Sequence, residues 1–298
     1  MTKILIFPGQ GAQAVGMGAE LYKNSESARC VFDAVDDALG EKLTDLMFEG
    51  DLSELTRAEN AQPAIFACGI AAMFARDLRA GADFGFCAGH SLGEITALCA
   101  AGAIDIGDCA RLLRYRGKLQ VAAPAGAMAA IMGMTPDQIA EICRTAESQT
   151  GKIIDPANDN APGQFVVLGE SDAVAVAVDI AKSQGARAIM LNVSGAFHSR
   201  LMSDAAQKLS EYLKGVKLNE LSVPIISNMT AAPMTDVEQI RESLSYQMTH
   251  GVRFRESVLN MPNLGITSVI DAGPGNVITG LVKKTLPDME IESLVVSS

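Results

Sequence analysis

Residues 82–103 constrain the fold more than any other stretch. An apolar run, Ala82–Ala88, meets Gly89-His90-Ser91-Leu92-Gly93-Glu94, and the Ala- and Leu-rich Ile95–Ala103 follows. A short apolar run cut by glycine reads as a buried strand, and the segment after it as a buried helix. A strand that turns directly into a helix across Gly-x-Ser-x-Gly presents its serine at the apex, because the flanking glycines tolerate the crowded backbone. Such a turn belongs to an α/β architecture, in which a mainly parallel sheet is covered by helices on both faces. The Ser91 hydroxyl is exposed there, and the Leu92 N–H points from the helix N-terminus toward a developing oxyanion. The plainer alternative is a Gly-rich turn whose serine merely caps the helix.

The same alternation recurs along the chain. Lys3–Phe7 reads as a strand broken by Pro8-Gly9-Gln10-Gly11, with helices at Ala28–Leu39 and from Gln62 or Pro63 to Leu78. Pro63 suits a first helical turn, where its missing amide costs nothing. Later come a helix at Ser203–Lys214, a strand at Pro224–Ser227, and helices at Val237–Gln247 and Phe254–Met261. A strand at Ser268–Asp271 and a helix ending near Thr285 complete this part.

The middle of the chain has a different rhythm. Strands are expected at Ala127–Met132, Lys152–Asn158, Gln164–Gly169 and Arg187–Val193. Helices are expected from Thr135-Pro136 to Ser148 and over Ser171–Gln184, with Ser171 as cap. The order β-α-β-β-α-β matches a ferredoxin-like unit. The expected organisation is a large α/β unit of residues 1–125 and 193–298, with residues 126–192 inserted as a smaller one.

Charge narrows the function. With 24 basic and 35 acidic residues the net charge is −11, which argues against a nucleic-acid partner and against a polybasic membrane surface. Hydrophobic residues at 48% and charged ones at 20% are ordinary globular usage. The longest apolar stretch, Ala64–Ala75, stops at Arg76, short of the ~20 residues a membrane span needs. Pro8 and Gly9 cut the N-terminal apolar run before it reads as a signal peptide. A soluble, cytoplasmic protein is expected. Its six cysteines read as reduced small hydrophobes, with no metal-finger spacing, no metal constellation and no phosphate-loop pattern among the early glycines.

A nucleophilic serine needs a base, and the chain has three histidines. His90 adjoins Ser91 in a tight turn, so its ring points away. His198 lies in Ser194-Gly195-Ala196-Phe197-His198-Ser199 between a strand and a helix, where α/β sheets collect functional residues. It is better placed than His250.

Seven segments together resemble the malonyl-CoA:acyl-carrier-protein transacylases. They are Phe7–Gly11, Gly89–Glu94, Tyr115-Arg116-Gly117, Asn158–Gln164, Gly195–Ser199, Ser227–Thr230 and Gly273-Pro274-Gly275. The resemblance runs through nearly the whole chain. It implies a hydrolase-like α/β core with a ferredoxin-like insertion, and transfer of malonyl from malonyl-CoA to acyl carrier protein through a malonyl-serine, with no further cofactor. It implies Ser91 as nucleophile, His198 as general base, and the main-chain N–H groups of Gln10 and Leu92 as the oxyanion hole. Arg116 corresponds to the residue that pairs with the malonyl carboxylate, and Gln247 to the one whose carbonyl orients the histidine. Two departures stand out. The stretch from Arg116 to Gly126-Ala127-Met128 is short, leaving Gln120 alone, and His250-Gly251 stands where the family has proline before Val-Arg.

Arg116 also has a physical rationale, since a guanidinium matches a carboxylate bidentately. Its plainer reading is a solvated arginine on a helix with Arg111 and Arg114. Three rival functions remain at this level. One is a hydrolase using His250, another a patatin-like dyad of Ser91 with Asp271, and the third an inactive carrier-protein scaffold. Lys283-Lys284 reads as a basic helix end, or as a docking point for an acidic carrier.

Overall fold

The computed structural model describes residues 2–191 and 197–294. The chain opens with β1 (Thr2–Phe7), then α1 (Ala19–Asn24), α2 (Glu26–Leu39), α3 (Leu43–Glu49), α4 (Leu52–Thr56) and α5 (Ala58–Ala75). Next come β2 (Phe86–Gly89), α6 (Leu92–Ala100) and α7 (Ile106–Val121). The middle holds β3 (Ala127–Met132), α8 (Pro136–Thr150), β4 (Ile154–Ala161), β5 (Gln164–Gly169), α9 (Ser171–Ser183) and β6 (Arg187–Leu191). After it follow α10 (Ser203–Leu213), β7 (Ile225–Ile226), β8 (Pro233–Met234), α11 (Val237–Tyr246) and α12 (Phe254–Asn260). The chain closes with β9 (Ile266–Asp271), α13 (Val277–Thr285) and β10 (Glu290–Ser293).

The result is an α/β fold with two sheets. The larger runs β10-β9-β1-β2-β7-β8 and is parallel except for the β7–β8 pair. One face packs on α2, α5, α6 and α7 through residues such as Leu5, Phe66 and Leu98, and the other on α12 and α13 through Ile4, Val258 and Val282. The smaller sheet, β4-β5-β3-β6, is antiparallel. It has its own core, with Ile131, Ile142, Phe165 and Val174. Register aligns Phe7 with Gly89 and Ile6 with Asp271, so three turns meet where strands end, the edge at which open α/β sheets bind ligands.

Several boundaries differ from the sequence expectation. α5 starts at Ala58, so Pro63 lies inside the helix. The N–H groups of Asn60 and Ala61 already close on the Arg57 carbonyl at 2.9 and 2.8 Å, so the first turn forms ahead of the proline. The run Ala82–Ala88 becomes strand only at Phe86. Before that, Gly81 N–H bonds the Phe84 carbonyl at 2.9 Å and Asp83 accepts from Arg79 N–H at 2.8 Å, closing a turn. α6 begins at Leu92 rather than Ile95, and β4 lies at Ile154–Ala161, displaced from Lys152–Asn158. Ser171 is the first residue of α9 and not its cap. The helices α1, α3 and α4 and the strand β10 span one to two turns or four residues, too short for periodicity to reveal. The last two residues of the expected strand Arg187–Val193 lie outside the described residues, as does the boundary at 193. No helix among the described residues is long and apolar enough to cross a membrane.

Gly117 brings α7 onto α5. A Cβ there would sit 2.4 Å from the Glu59 Cα. That contact sets Arg116, one residue earlier, beside Gln62 in the protein interior.

Candidate active site

Ser91 has φ 56 and ψ −109, a conformation that costs on the order of 1–3 kcal/mol and persists only where the surroundings impose it. The imposing contacts are specific. His90 N–H bonds the Phe7 carbonyl at 3.0 Å and Gly93 N–H bonds the His90 carbonyl at 2.9 Å. Asn228 clamps the turn from β7's side: its Oδ1 accepts from Ser91 N–H at 2.7 Å and its Nδ2 donates to the Gly89 carbonyl at 2.6 Å. A Cβ at Gly93 would lie 2.4 Å from the Phe7 carbonyl oxygen, so only glycine lets α6 seat against β1.

His198 reaches the same point from another loop, also with positive φ, at 65°. Its Nε2 lies 2.7 Å from Ser91 Oγ. Its Nδ1 faces two main-chain carbonyls, those of Gln247 at 2.8 Å and His250 at 3.1 Å. Carbonyls only accept, so Nδ1 carries the proton and Nε2 presents a lone pair to the serine hydroxyl. Burial, and then the charge of Arg116, push the His198 pKa down to about 3, so the ring is neutral around pH 7.

Arg116 is 1% exposed. Its Nη2 donates to Ser91 Oγ and to Gln247 Oε1, both at 3.0 Å, and its Nη1 to Gln62 Oε1 at 2.7 Å. Its Nε has no hydrogen-bond partner. Among the described residues no carboxylate pairs with it, and burial lowers its pKa to about 10. A buried guanidinium resting on neutral oxygens is expensive in isolation and receptive to a carboxylate. The reading of Arg116 as a solvated surface arginine is therefore corrected.

Leu92 is the first residue of α6, so its N–H has no intrahelical acceptor. Gln10 sits on the adjoining turn after β1 and lines the cleft over Ser91. That cleft, about 300 Å³, is bounded by both units: Gln10, His90, Gln120, Phe197 and His198 meet Met128, Asn160, Gln164 and Val166. A larger concavity of about 1030 Å³ between α10 and α11 is an open polar groove that contains none of Ser91, His198 or Arg116.

The rival constellations do not assemble. Asp271 Oδ2 accepts from Thr279 N–H at 3.0 Å and Thr279 Oγ1 at 2.7 Å. His250 is exposed, and its ring bonds Tyr246 and Thr249. His90 turns its Nε2 to Asn160 Oδ1 at 2.8 Å. Lys283 Nζ is engaged by the Pro287 and Met289 carbonyls, and Lys284 Nζ by Gln164 Oε1.

Sequence reasoning gave no role to Glu94, Gln62 or Asn228. Glu94 is fully buried; its Oε1 accepts from Asn228 N–H at 3.1 Å and its Oε2 from Gln247 Nε2. Glu94 and Asn228 lay within the segments that carry the family resemblance. Gln62 offered one signal, the single polar side chain in the run 61–75 that makes up the rest of α5 after its first turn.

A family model described as the acyl transferase domain matches residues 4–297, and the chain belongs to that family. It is 45% identical over 289 residues to the malonyl CoA-acyl carrier protein transacylase of Bacillus subtilis (strain 168), covering 95% of this chain and 90% of that one. The crystal structure of the acyl-carrier-protein-S-malonyltransferase from Bartonella henselae superposes with a TM-score of 0.95 at 40% identity, covering 99% and 95% of the two chains. A malonyl-transacylase in complex with its type II PKS acyl-carrier protein superposes with a TM-score of 0.93 at 36% identity, covering 99% and 96%.

Proposed function

We propose that the protein transfers malonyl from malonyl-CoA to the phosphopantetheine thiol of holo acyl carrier protein, supplying fatty acid biosynthesis. The relatives named above carry that activity in their names, and one of them is bound to its carrier protein. The observation that carries the reading is the surroundings of Ser91 Oγ. It sits 2.7 Å from a histidine lone pair and 3.0 Å from a buried guanidinium that lacks an acidic partner.

The reaction runs in two half-cycles. Ser91 Oγ attacks the thioester carbonyl carbon while His198 Nε2 takes its proton. The carbonyl oxygen becomes an oxyanion facing the N–H groups of Leu92 and Gln10. Collapse breaks the C–S bond, and coenzyme A leaves with the proton from His198. The carrier thiol then gives its proton to His198 and attacks the malonyl-serine ester, and Ser91 departs with that proton. Arg116 pairs with the malonyl carboxylate throughout, and a substrate without one leaves its guanidinium uncompensated. Pairing also offsets the positive charge that depresses the basicity of His198, so the base is strongest when the acyl group is the right one. Gln247 serves through its carbonyl on Nδ1 and its amide oxygen on Arg116.

The architecture fits this assignment. Residues 126–192 form a ferredoxin-like insertion in a hydrolase-like core of residues 1–125 and 193–298. Supporting this are the βαββαβ order, the strand order β4-β5-β3-β6 and the separate core of the small sheet, with the serine turn at the end of a parallel strand. Six free cysteines agree with a cytoplasmic setting.

Coenzyme A release, measured with and without holo carrier protein, tests the function, and peptide mass mapping locates the acyl group. The expected results are carrier-dependent release and one malonyl group on Ser91, absent in Ser91→Ala. Release that proceeds equally with water would make the protein a hydrolase, and label persisting in Ser91→Ala would remove the nucleophile.

A further inference from the structure

Two hydrogen-bond donors converge on Glu94. Its Oε1 accepts from the Asn228 main-chain N–H at 3.1 Å, and its Oε2 from the Gln247 side-chain amide. A main-chain N–H can only donate, so the first contact has one sense. The second is coupled to the rest of the site. Gln247 Nε2 also donates to the Ser91 carbonyl at 3.1 Å, while Gln247 Oε1 accepts from Arg116 Nη2 at 3.0 Å. The amide therefore runs one way, nitrogen toward Glu94 and oxygen toward Arg116. Reversed, its oxygen would face a carboxylate and a carbonyl, and its NH₂ would face a guanidinium.

We infer that Glu94, as a carboxylate, is the positioning residue that fixes the polarity of the Gln247 amide and so holds Arg116 ready for an acyl group bearing a carboxylate. The inference rests on the malonyl reading above and adds to it a residue that touches no substrate. A carboxylate is required because both neighbours donate. A glutamine at position 94 has the same shape but one acceptor and one donor. Answering the Asn228 N–H, it would turn its own NH₂ on Gln247 and invert that amide. Answering Gln247, it would set its NH₂ against the Asn228 N–H. Either way a buried donor meets a donor, the costly half of hydrogen-bond exchange.

Protonation adds an O–H donor to one of the two oxygens and weakens it as an acceptor. Burial pushes the Glu94 carboxyl up to about 7, so the relay is intact above that pH and is lost as pH falls through it. Among the described residues packed against α6, Arg116 on α7 is the charge acting on Glu94. The Cys87 thiol on β2 and the Cys109 thiol on α7 are held protonated by burial. His198, lowered to about 3, does not titrate in that range.

The test measures kcat/KM for malonyl-CoA and for acetyl-CoA, with holo carrier protein as acceptor, in the wild type and Glu94→Gln across the pH range around 7. Leaving a buried donor unanswered predicts a ~10- to 100-fold loss of malonyl kcat/KM in the variant, mostly as a raised KM. Acetyl turnover should change far less. The wild-type malonyl profile should fall on the acid side near pH 7, the acetyl profile should not, and the variant should lack the fall. An equal loss on both thioesters would make Glu94 a structural support of the turn, and no loss on either would leave it no role; either overturns the inference. The two wild-type profiles decide the matter without any variant, because identical shapes also overturn it. A wild type that transfers no malonyl defeats the functional reading itself, which is a separate outcome.

Discussion

Two arginines, one half-buried and one fully buried, solve opposite problems. Arg255 on α12 meets Asp159 on β4 through a fork, with Nε at 2.8 and 3.0 Å from the two carboxylate oxygens and Nη2 at 2.7 Å. That hydrogen-bonded partner raises its pKa. Arg116 is more deeply buried yet rests on two amide oxygens and a hydroxyl, and burial lowers its pKa. The first is a finished ion pair that ties the small sheet to the large unit. The second is a cation bonded by no carboxylate among the described residues, and on the function proposed above its complement arrives with the substrate. The same side chain thus reads as scaffold or as recognition according to whether an acid faces it.

The largest effect is expected of Arg116→Ala. Losing one partner of a desolvated ion pair costs ~3–5 kcal/mol, which is roughly 10²–10³·⁵ in kcat/KM for malonyl-CoA. Acetyl-CoA turnover should hold or rise. Arg111→Ala is the control for helix damage, being half exposed on the same helix. Arg114 serves less well, because its side chain is largely buried against Asn60 and Glu41. Equal losses on both thioesters would place Arg116 with Arg255 among the scaffold residues.

Arg255→Ala should show the converse. The pair is partly exposed, with side chains at 19% and 15%, so a loss of about 1–2 kcal/mol of folding stability is expected. Thermal or urea unfolding reads that loss, and the malonyl-to-acetyl ratio should stay at the wild-type value. A changed ratio would mean that the junction shapes the pocket.

The smallest effect concerns pH. Arg116 is the second cause of the low His198 pKa, after burial. In Arg116→Ala the pKa should therefore rise above about 3. Since His198 must be neutral to accept a proton, acetyl turnover in the variant should be lost at a higher pH than in the parent. An acid limit at the same pH in both would show that burial alone sets the base.

The Ser91 turn was legible because it is local: a strand, two glycines and a helix lie within a few residues. Arg116 was not legible from periodicity, since Arg111, Arg114 and Arg116 share one polar-looking helix. Their fates diverge only where Gly117 meets Ala58 and Glu59. Glu94, Gln62 and Asn228 acquire their roles from partners 54 to 153 positions away, distances at which no sequence pattern acts. Element types were readable over the longer segments, whereas boundaries moved wherever a turn closed early, as at Arg57 and Gly81.

The two carbonyls that hold His198 Nδ1 belong to the main chain. No single substitution can delete them, as one could delete the aspartate of a triad. The side chain at position 250 projects outward and is at liberty to vary, provided the path of the loop is kept. Gly251 guards that path, since a Cβ there would come within 2.8 Å of the Pro156 and Ala157 carbonyl oxygens. Heritable change can therefore reach the support of the base only by moving backbone. Sequence drift at position 250 itself need carry no functional penalty.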